Sequence, residues 1–501
     1  MTLHVGTLEE INEEEPNSQF ESPQEIPLDV VVNGVIQRED VDYFVIEAEQ
    51  GERVSIEIEG LRLGRTFFDP AIAVLDEDRF ELARCDDAPL LRQDAFCSFL
   101  APKAGRYTIE VRETAYRGDG NSTYRLHVGR FPRPAAVYPP GGRPGESLAV
   151  RWIGDPTGEQ TETVTLPDDI GDAHELMAND PHGTSPSGVP VRVVDLPGAL
   201  ESEPNDALAE ATEFSAPSAC TGVIQAAGDR DHFRFKATKS EVFDLRMFAR
   251  EVRSPLDPVL RVLDAKGKQV IANDDDRGRP DSYVRFKAPA DGEYVLRVED
   301  HLRAGGPDYI YRIEATRPTP TVGVRIEEQQ RYVSQTVVVP RGNRAAIMVT
   351  ATRRDMGGPL AISLPELPEG VVATPVPLAA DYNRVPVLFE AADEAPLDAV
   401  LTPVVARLAE GEASIKSLFK QQTWLVRGRN NVPVWDHWAD RAAIAVTERL
   451  PFKLTLIAPK APLVQRGSKE LRVVAERDEG FDAPIAVRML YVPPGVSANF
   501  F

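Results

Sequence analysis

Three cysteines in 501 residues, Cys85, Cys97 and Cys220, are too few for a disulfide framework or a four-thiolate zinc site. No run of about eighteen apolar residues occurs, so the sequence contains no membrane-spanning helix. Basic residues are in deficit: 56 Lys and Arg stand against 79 Asp and Glu, a formal net charge of −23. A nucleic-acid backbone or an anionic bilayer would be repelled, so no nucleic acid is expected as a partner. The first residues, "MTLHVGTLEEINEEEP", lack the basic and apolar regions of a secretory signal. Catalytic signatures are missing too. No phosphate-cradling G-x-x-x-x-G-K-[ST] or G-x-G-x-x-G occurs, and "GTSPSG" at 183–188 lacks the spacing of a G-x-S-x-G elbow. "HELMANDPH" at 174–182 starts like a zinc-protease helix but has Ala178 where the second histidine belongs. The seven histidines are scattered, and the chain reads as non-enzymatic. A glycosidase pair of carboxylates has no signature that would show among 79 acids.

What the sequence has is proline and glycine, 42 and 35 residues spread along the chain, as many short strands joined by turns require. Its length suggests roughly three to five domains. Internal repeats then fix the organisation. "EEEPNS" at 13–18 returns as "ESEPND" at 201–206, "GVI" at 34–36 as 222–224, "REDVDYF" at 38–44 as "AGDRDHF" at 227–233, and "DP" at 69–70 as 257–258. After a one-residue slip, Asp94, Pro102, Gly105, Tyr107 and Tyr124 match Asp281, Pro289, Gly292, Tyr294 and Tyr311. Within each copy apolar residues alternate, as in Val54, Ile56, Ile58 and Phe243, Leu245, Met247, which predicts strands with one face on a core and one in water.

A second repeat family begins beyond 318. "PRG" at 340–342 recurs as "QRG" at 465–467, and "PEGVVA" at 368–373 as "PPGVSA" at 493–498. The predicted fold is all-β and multi-domain: sandwiches at 1–131 and 199–318, a small Ig-like spacer at 132–198 opening on a Pro/Gly hinge, and Ig-like modules at 319–427 and 428–501. The second module stops soon after Ala498 where the first continues, so the chain reads as an internal piece of a longer protein. Cys85 and Cys97, expected in one sheet region, are open to two readings: a pair in an oxidising compartment, or two buried thiols.

The repeated acids suggest a hard cation. Ca²⁺ takes six to eight oxygens from carboxylates, Asn amides and backbone carbonyls. In an extended segment Glu201 and Glu203 share a face, Pro204 fixes the backbone, and Asn205 and Asp206 can turn back toward the same point. Asp229 and Asp231 pair likewise ahead of Phe233. Turn chemistry accounts for Asp and Asn here, but not for Glu at both alternate positions in both copies. The later acid clusters "RCDDA" at 84–88 and "NDDDR" at 273–277 read as solvated loops.

E-x-E-P-N, then G-x-I, D-x-D-x-F, D-P and A-P-x-x-G-x-Y together resemble the bacterial pre-peptidase C-terminal (PPC) domain, over about 240 of the 501 residues. The resemblance implies jelly-roll-like β-sandwiches related to collagenase collagen-binding domains, and calcium held by the acids of the first two motifs. By position the second copy would use Glu201, Glu203, Asn205, Asp206, Asp229 and Asp231. The first would use Glu13, Glu15, Asn17, Asp40 and Asp42, but has Ser18 in place of Asp206. Two PPC units followed by Ig-like modules also look like large exported proteins of planctomycete type. The expectation is an extracytoplasmic, non-catalytic binding or scaffold region with an unidentified extracellular protein or polysaccharide as partner. The alternative is an accessory region of a secreted peptidase or other hydrolase.

Overall fold

The computed structural model describes residues 4–501 apart from 89–92, 169–170, 277–278, 280, 376, 411–414, 488, 493–494 and 499–501. The described chain is built of strands, and its helical segments are three-residue 3-10 turns such as Leu61–Leu63 and Arg250–Val252. No helix is long and apolar enough to cross a membrane. The chain divides into two compact units, the first essentially residues 1–318 and the second 319–501, with the short stretch Val426–Arg429 grouped with the first.

In the first unit the first repeat copy runs β1 (Glu9–Asn12), β2 (Gln24–Glu25), β3 (Val30–Val35), β4 (Val41–Ala48), β5 (Arg53–Glu59), β6 (Pro70–Leu75), β7 (Glu81–Cys85), β8 (Phe96–Leu100), β9 (Gly105–Glu113) and β10 (Thr123–Gly129). They form two five-stranded sheets, β1-β3-β10-β5-β8 and β2-β4-β9-β6-β7. The second copy has the same ten in order: β11 (Gly198–Leu200), β12 (Thr212–Glu213), β13 (Ser218–Val223), β14 (Asp231–Ala237), β15 (Val242–Phe248), β16 (Pro258–Asp264), β17 (Gln269–Asn273), β18 (Tyr283–Lys287), β19 (Gly292–Asp300) and β20 (Ile310–Thr316). Its sheets, β11-β13-β20-β15-β18 and β12-β14-β19-β16-β17, repeat the first arrangement strand for strand. The alternating residues meet between the sheets. Val54, Ile56, Ile58, Tyr107 and Ile109 are buried in one core, and Phe233, Phe235, Phe243, Leu245 and Leu296 in the other. The first strand of each sheet pairs parallel with its neighbour, β1 with β3 and β2 with β4. The chain therefore crosses between sheets along 13–23, which carries the E-x-E-P-N segment.

The expected wet face is missing on β5, where Arg53, Ser55 and Glu57 are as buried as the core residues between them. The spacer covers that face. Arg53 pairs with Asp155 at 3.3 Å, and Glu57 takes Arg133 at 2.5 Å and the Ser187 hydroxyl at 2.7 Å. On its other side Arg192 reaches Glu314 of β20 at 3.1 Å and lies 3.9 Å over the Phe248 ring. Ala136, Ile153, Val223, Phe248, Val252 and Ile310 form an apolar cluster at that junction. The Pro/Gly stretch expected to hinge is thus packed: Arg133, Pro134, Pro139, Pro140 and Gly141 are all buried. Desolvated arginine–carboxylate pairs disfavour any alternative seating, because a broken pair leaves a buried charge alone. The "HEL" of 174–176 lies on the strand Gly171–Leu176 rather than on a helix.

The second unit holds one sandwich around Val324, Val349, Val387 and Phe389. Its larger sheet is built on Thr321–Ile326, Arg344–Arg354 and Arg384–Ala391. Strand Ala442–Thr447 pairs with Thr336–Pro340, so the boundary expected at 427 falls inside this sandwich. Beyond it lies the antiparallel hairpin Phe452–Ile457 and Arg472–Arg477.

Candidate metal centre

Each crossover folds its acids back onto the start of the neighbouring sheet. In the second copy the Glu201 backbone N–H donates to Thr221, and its Oε1 accepts from the Val223 N–H at 2.9 Å. The Asn205 N–H donates to Glu203 at 2.8 Å, while the Asn205 carbonyl lies 2.9 Å from His232 Nδ1. Asp231 then opens β14 directly beneath. Oxygens of Glu201, Glu203 and Asp231 lie within 4.8 Å of one another. Two oxygens on one ion at about 2.4 Å can be no farther apart than about 4.8 Å, so this spacing suits a shared calcium. Asp229 and Asp206 adjoin the cluster, each accepting from the Arg230 backbone N–H, at 2.7 and 3.4 Å.

The first copy repeats the arrangement with one change of membership. Glu15, Asp40 and Asp42 form the group within 4.8 Å. Glu13 stands beside it, accepting from the Val35 N–H at 2.8 Å and the Tyr124 hydroxyl at 3.1 Å. Ser18, where the other copy has Asp206, donates its hydroxyl to Asp40 at 3.0 Å.

Two residues of each site were not anticipated. Tyr124 donates to Asp42 at 2.5 Å, and Tyr311 to Asp231 at 2.5 Å. Room for these tyrosines comes from glycine: a Cβ at Gly222 would stand 2.2 Å from Glu201 Oε2 and 2.3 Å from the Tyr311 hydroxyl, and one at Gly34 would meet Tyr124 at 2.2 Å. Both pairs were visible as repeat matches, "GVI" and the late tyrosine, but nothing in the sequence tied them to the acids.

Charge is left uncompensated. Among the described residues none of these carboxylates has a Lys, Arg or His ion-pair partner, and the adjacent Arg230 turns instead to Glu299 at 3.2 Å. Asp42 Oδ1, Asp231 Oδ1 and Glu201 Oε2 are buried with no hydrogen-bond partner, as are both polar atoms of the Asn17 and Asn205 side chains. Burial and neighbouring acids push Asp42 up to about 8, Glu201 to about 7 and Asp231 to about 9. Burial likewise raises Glu13, Glu203 and Asp229. The later acid clusters differ. Asp274 and Asp275 are exposed, and Asp276 pairs with Arg246 at 3.0 Å.

The family model for the bacterial pre-peptidase C-terminal domain matches residues 40–113, from the second acid pair of the first site to the end of β9. This chain carries a PPC domain. A probable subtilase-type serine protease of Deinococcus radiodurans is 36% identical over 118 residues, which are 22% of this chain and 16% of that protein. The chain thus spans under a fifth of the curated relative it matches. Among solved structures, the pre-peptidase C-terminal domain of a collagenase from Bacillus anthracis is 13% identical, covering 23% of this chain and all of its own length at a TM-score of 0.19. Tripeptidyl peptidase 2 is 9% identical, covering 84% of this chain and 29% of its own at 0.16. The strand order of the PPC sandwich is repeated in residues 198–316.

Proposed function

We propose that this chain is a non-catalytic, extracytoplasmic binding or scaffold region whose two PPC sandwiches are held closed by calcium. The observation that carries the metal is the pair of carboxylate clusters, each with a buried carboxyl oxygen that has no hydrogen-bond or cationic partner among the described residues. Such groups cost several kcal/mol each when left charged and unpaired. A divalent ion turns that repulsion into cross-linking between the crossover and the strand that follows. In the second sandwich Glu201, Glu203, Asn205 and Asp231 would supply oxygens, with Asp206 and Asp229 adding charge. In the first, Glu15, Asn17, Asp40 and Asp42 would do so with Glu13 alongside, and water would complete both shells. The chemistry supplied is structural. These residues would tie the crossover, already seated by its backbone hydrogen bonds, to the strand that follows.

A second reading, an accessory region of a secreted peptidase, is favoured by the match to a subtilase-type protease. Both readings place the chain outside the cytoplasm, facing an extracellular protein or polysaccharide. Thermal melting of the full chain in millimolar calcium and in chelator tests the metal. A ligand at about a hundred times its Kd adds about 2.7 kcal/mol, enough to raise the Tm by roughly 10 °C in a domain of this size. Coincident melts would overturn the proposal.

A further inference from the structure

Cys85 ends β7 and Cys97 lies in β8. Each strand is the last in its sheet, on the side of the sandwich away from β1 and β2. The two cysteines therefore stand on different sheets, not in one sheet region as the sequence suggests. Their registers aim both inward: Cys85 is opposite Ile72 and Cys97 opposite Ile56, both fully buried core residues, and cross-strand partners share a face. Cys97 belongs to the core cluster and Cys85 packs against it. β7 and β8 lie against each other where the two sheets meet at this edge.

The second sandwich shows what closes this edge otherwise. By repeat position Asn273 and Val284 replace the two cysteines, and Asn273 Nδ2 donates to the Tyr283 carbonyl at 2.8 Å, bridging β17 and β18. The first sandwich has no amide there. Its Cys85 makes a 3.4 Å contact with the Asp87 carbonyl, a weak bond to lose.

We propose that Cys85 and Cys97, thiols in this structure, are a disulfide-forming pair that staples the two sheets of the first sandwich at their open edge. The oxidant is a small-molecule or enzymatic disulfide. The Cys85 thiolate, the more exposed of the two, attacks one of its sulfurs, forming a mixed disulfide and releasing one thiol. The Cys97 thiolate then attacks the Cys85 sulfur and releases the second thiol. Two thiols and one disulfide become one protein disulfide and two free thiols. The two cysteine protons end on the released thiols, and the oxidant takes up both electrons. Whether the bond forms in the cell rests on the extracytoplasmic reading, whereas the pairing itself does not.

The test takes the full chain through an unfolding and refolding cycle in reduced and oxidised glutathione, and in parallel incubates it folded with oxidised glutathione at pH 8.5. Thiols are trapped with a maleimide under denaturing conditions and the peptides mapped by mass spectrometry. The expected result is a linked Cys85–Cys97 peptide with Cys220 alone trapped. A reductant should then lower the Tm by roughly 5 °C or more. Cys97→Val, which copies Val284 and preserves the apolar core, should melt identically with and without reductant. Three trapped thiols after refolding to a native spectrum, or glutathione held on Cys85 with Cys97 free, would overturn the pairing. If the pair forms in vitro while chain isolated from its own cell carries three thiols, the pairing stands and the compartment reading falls.

Discussion

The two PPC-like sandwiches share ten strands in one order, yet their acid corners are not equivalent. The second copy gathers Glu201, Glu203 and Asp231, with Asp206 and Asp229 adjoining. In the first, Ser18 replaces the extra carboxylate and its hydroxyl donates to Asp40 at 3.0 Å, while Glu13 accepts from the Val35 amide as Glu201 does from Val223. One side chain therefore separates a corner that is partly neutralised by its own hydrogen bonds from one that carries an additional negative charge. The fold tolerates both, because the crossover is held by backbone hydrogen bonds common to the copies, Glu13 to Asn33 and Glu201 to Thr221. What differs is electrostatic. The second corner repels itself more strongly when empty and should bind a cation more tightly.

The largest way to break this comparison is Asp231→Asn. Calcium affinity at the second site should fall by on the order of 100-fold, with the first site unchanged in titration calorimetry. At pH 9 in chelator the same variant should melt higher than the parent, because a buried charge has gone. Equal affinities in variant and parent would show that Asp231 is no ligand.

Next in size is the response to pH without calcium. Burial and neighbouring acids push Asp42, Glu201 and Asp231 up to about 8, 7 and 9 in the fold, against about 4 in an unfolded chain. The folded values are raised, so the stability contributed by the protonated groups is complete below about pH 4 and is lost as pH rises through 7 to 9. In chelator the Tm should drop by roughly 5 °C or more between pH 5 and 9. Calcium, which binds the ionised carboxylates, should flatten or reverse that slope. A chelated protein that gains stability toward pH 9 would contradict the burial of these groups as acids.

The smallest step sharpens the contrast. Ser18→Asp restores to the first corner the carboxylate of the second, and should raise its calcium affinity by roughly tenfold. An unchanged affinity would mean that Asp206 contributes nothing to the second site.

Much of this was legible in the sequence. Period-two alternation located the strands, and the two-copy motif located the acids, because carboxylates repeated at fixed spacing around a Pro-Asn corner are hard to explain by turn chemistry alone. Tyr124 and Tyr311 stand out in the sequence as a repeat match, and both are buried in their cores. Their hydroxyls reach the acids only because Gly34 and Gly222 leave the space, a coincidence of separate strands that no local pattern records. Alternation predicted water on the outer face of β5, whereas Arg53, Ser55 and Glu57 are covered by a spacer whose docking depends on tertiary pairing. Likewise parity could show that Cys85 and Cys97 point inward, but not that β7 and β8 belong to opposite sheets. The boundary set at 427 missed the return of Ala442–Thr447 to its partner, a parallel pairing about a hundred residues apart in sequence.

The most direct measurement is isothermal titration of calcium into the chelator-stripped chain at pH 8. The account predicts two bound ions per chain, the tighter one lost in Asp231→Asn and the weaker one in Asp42→Asn. No heat up to millimolar calcium in the parent chain, or a stoichiometry unmoved by both substitutions, would contradict it.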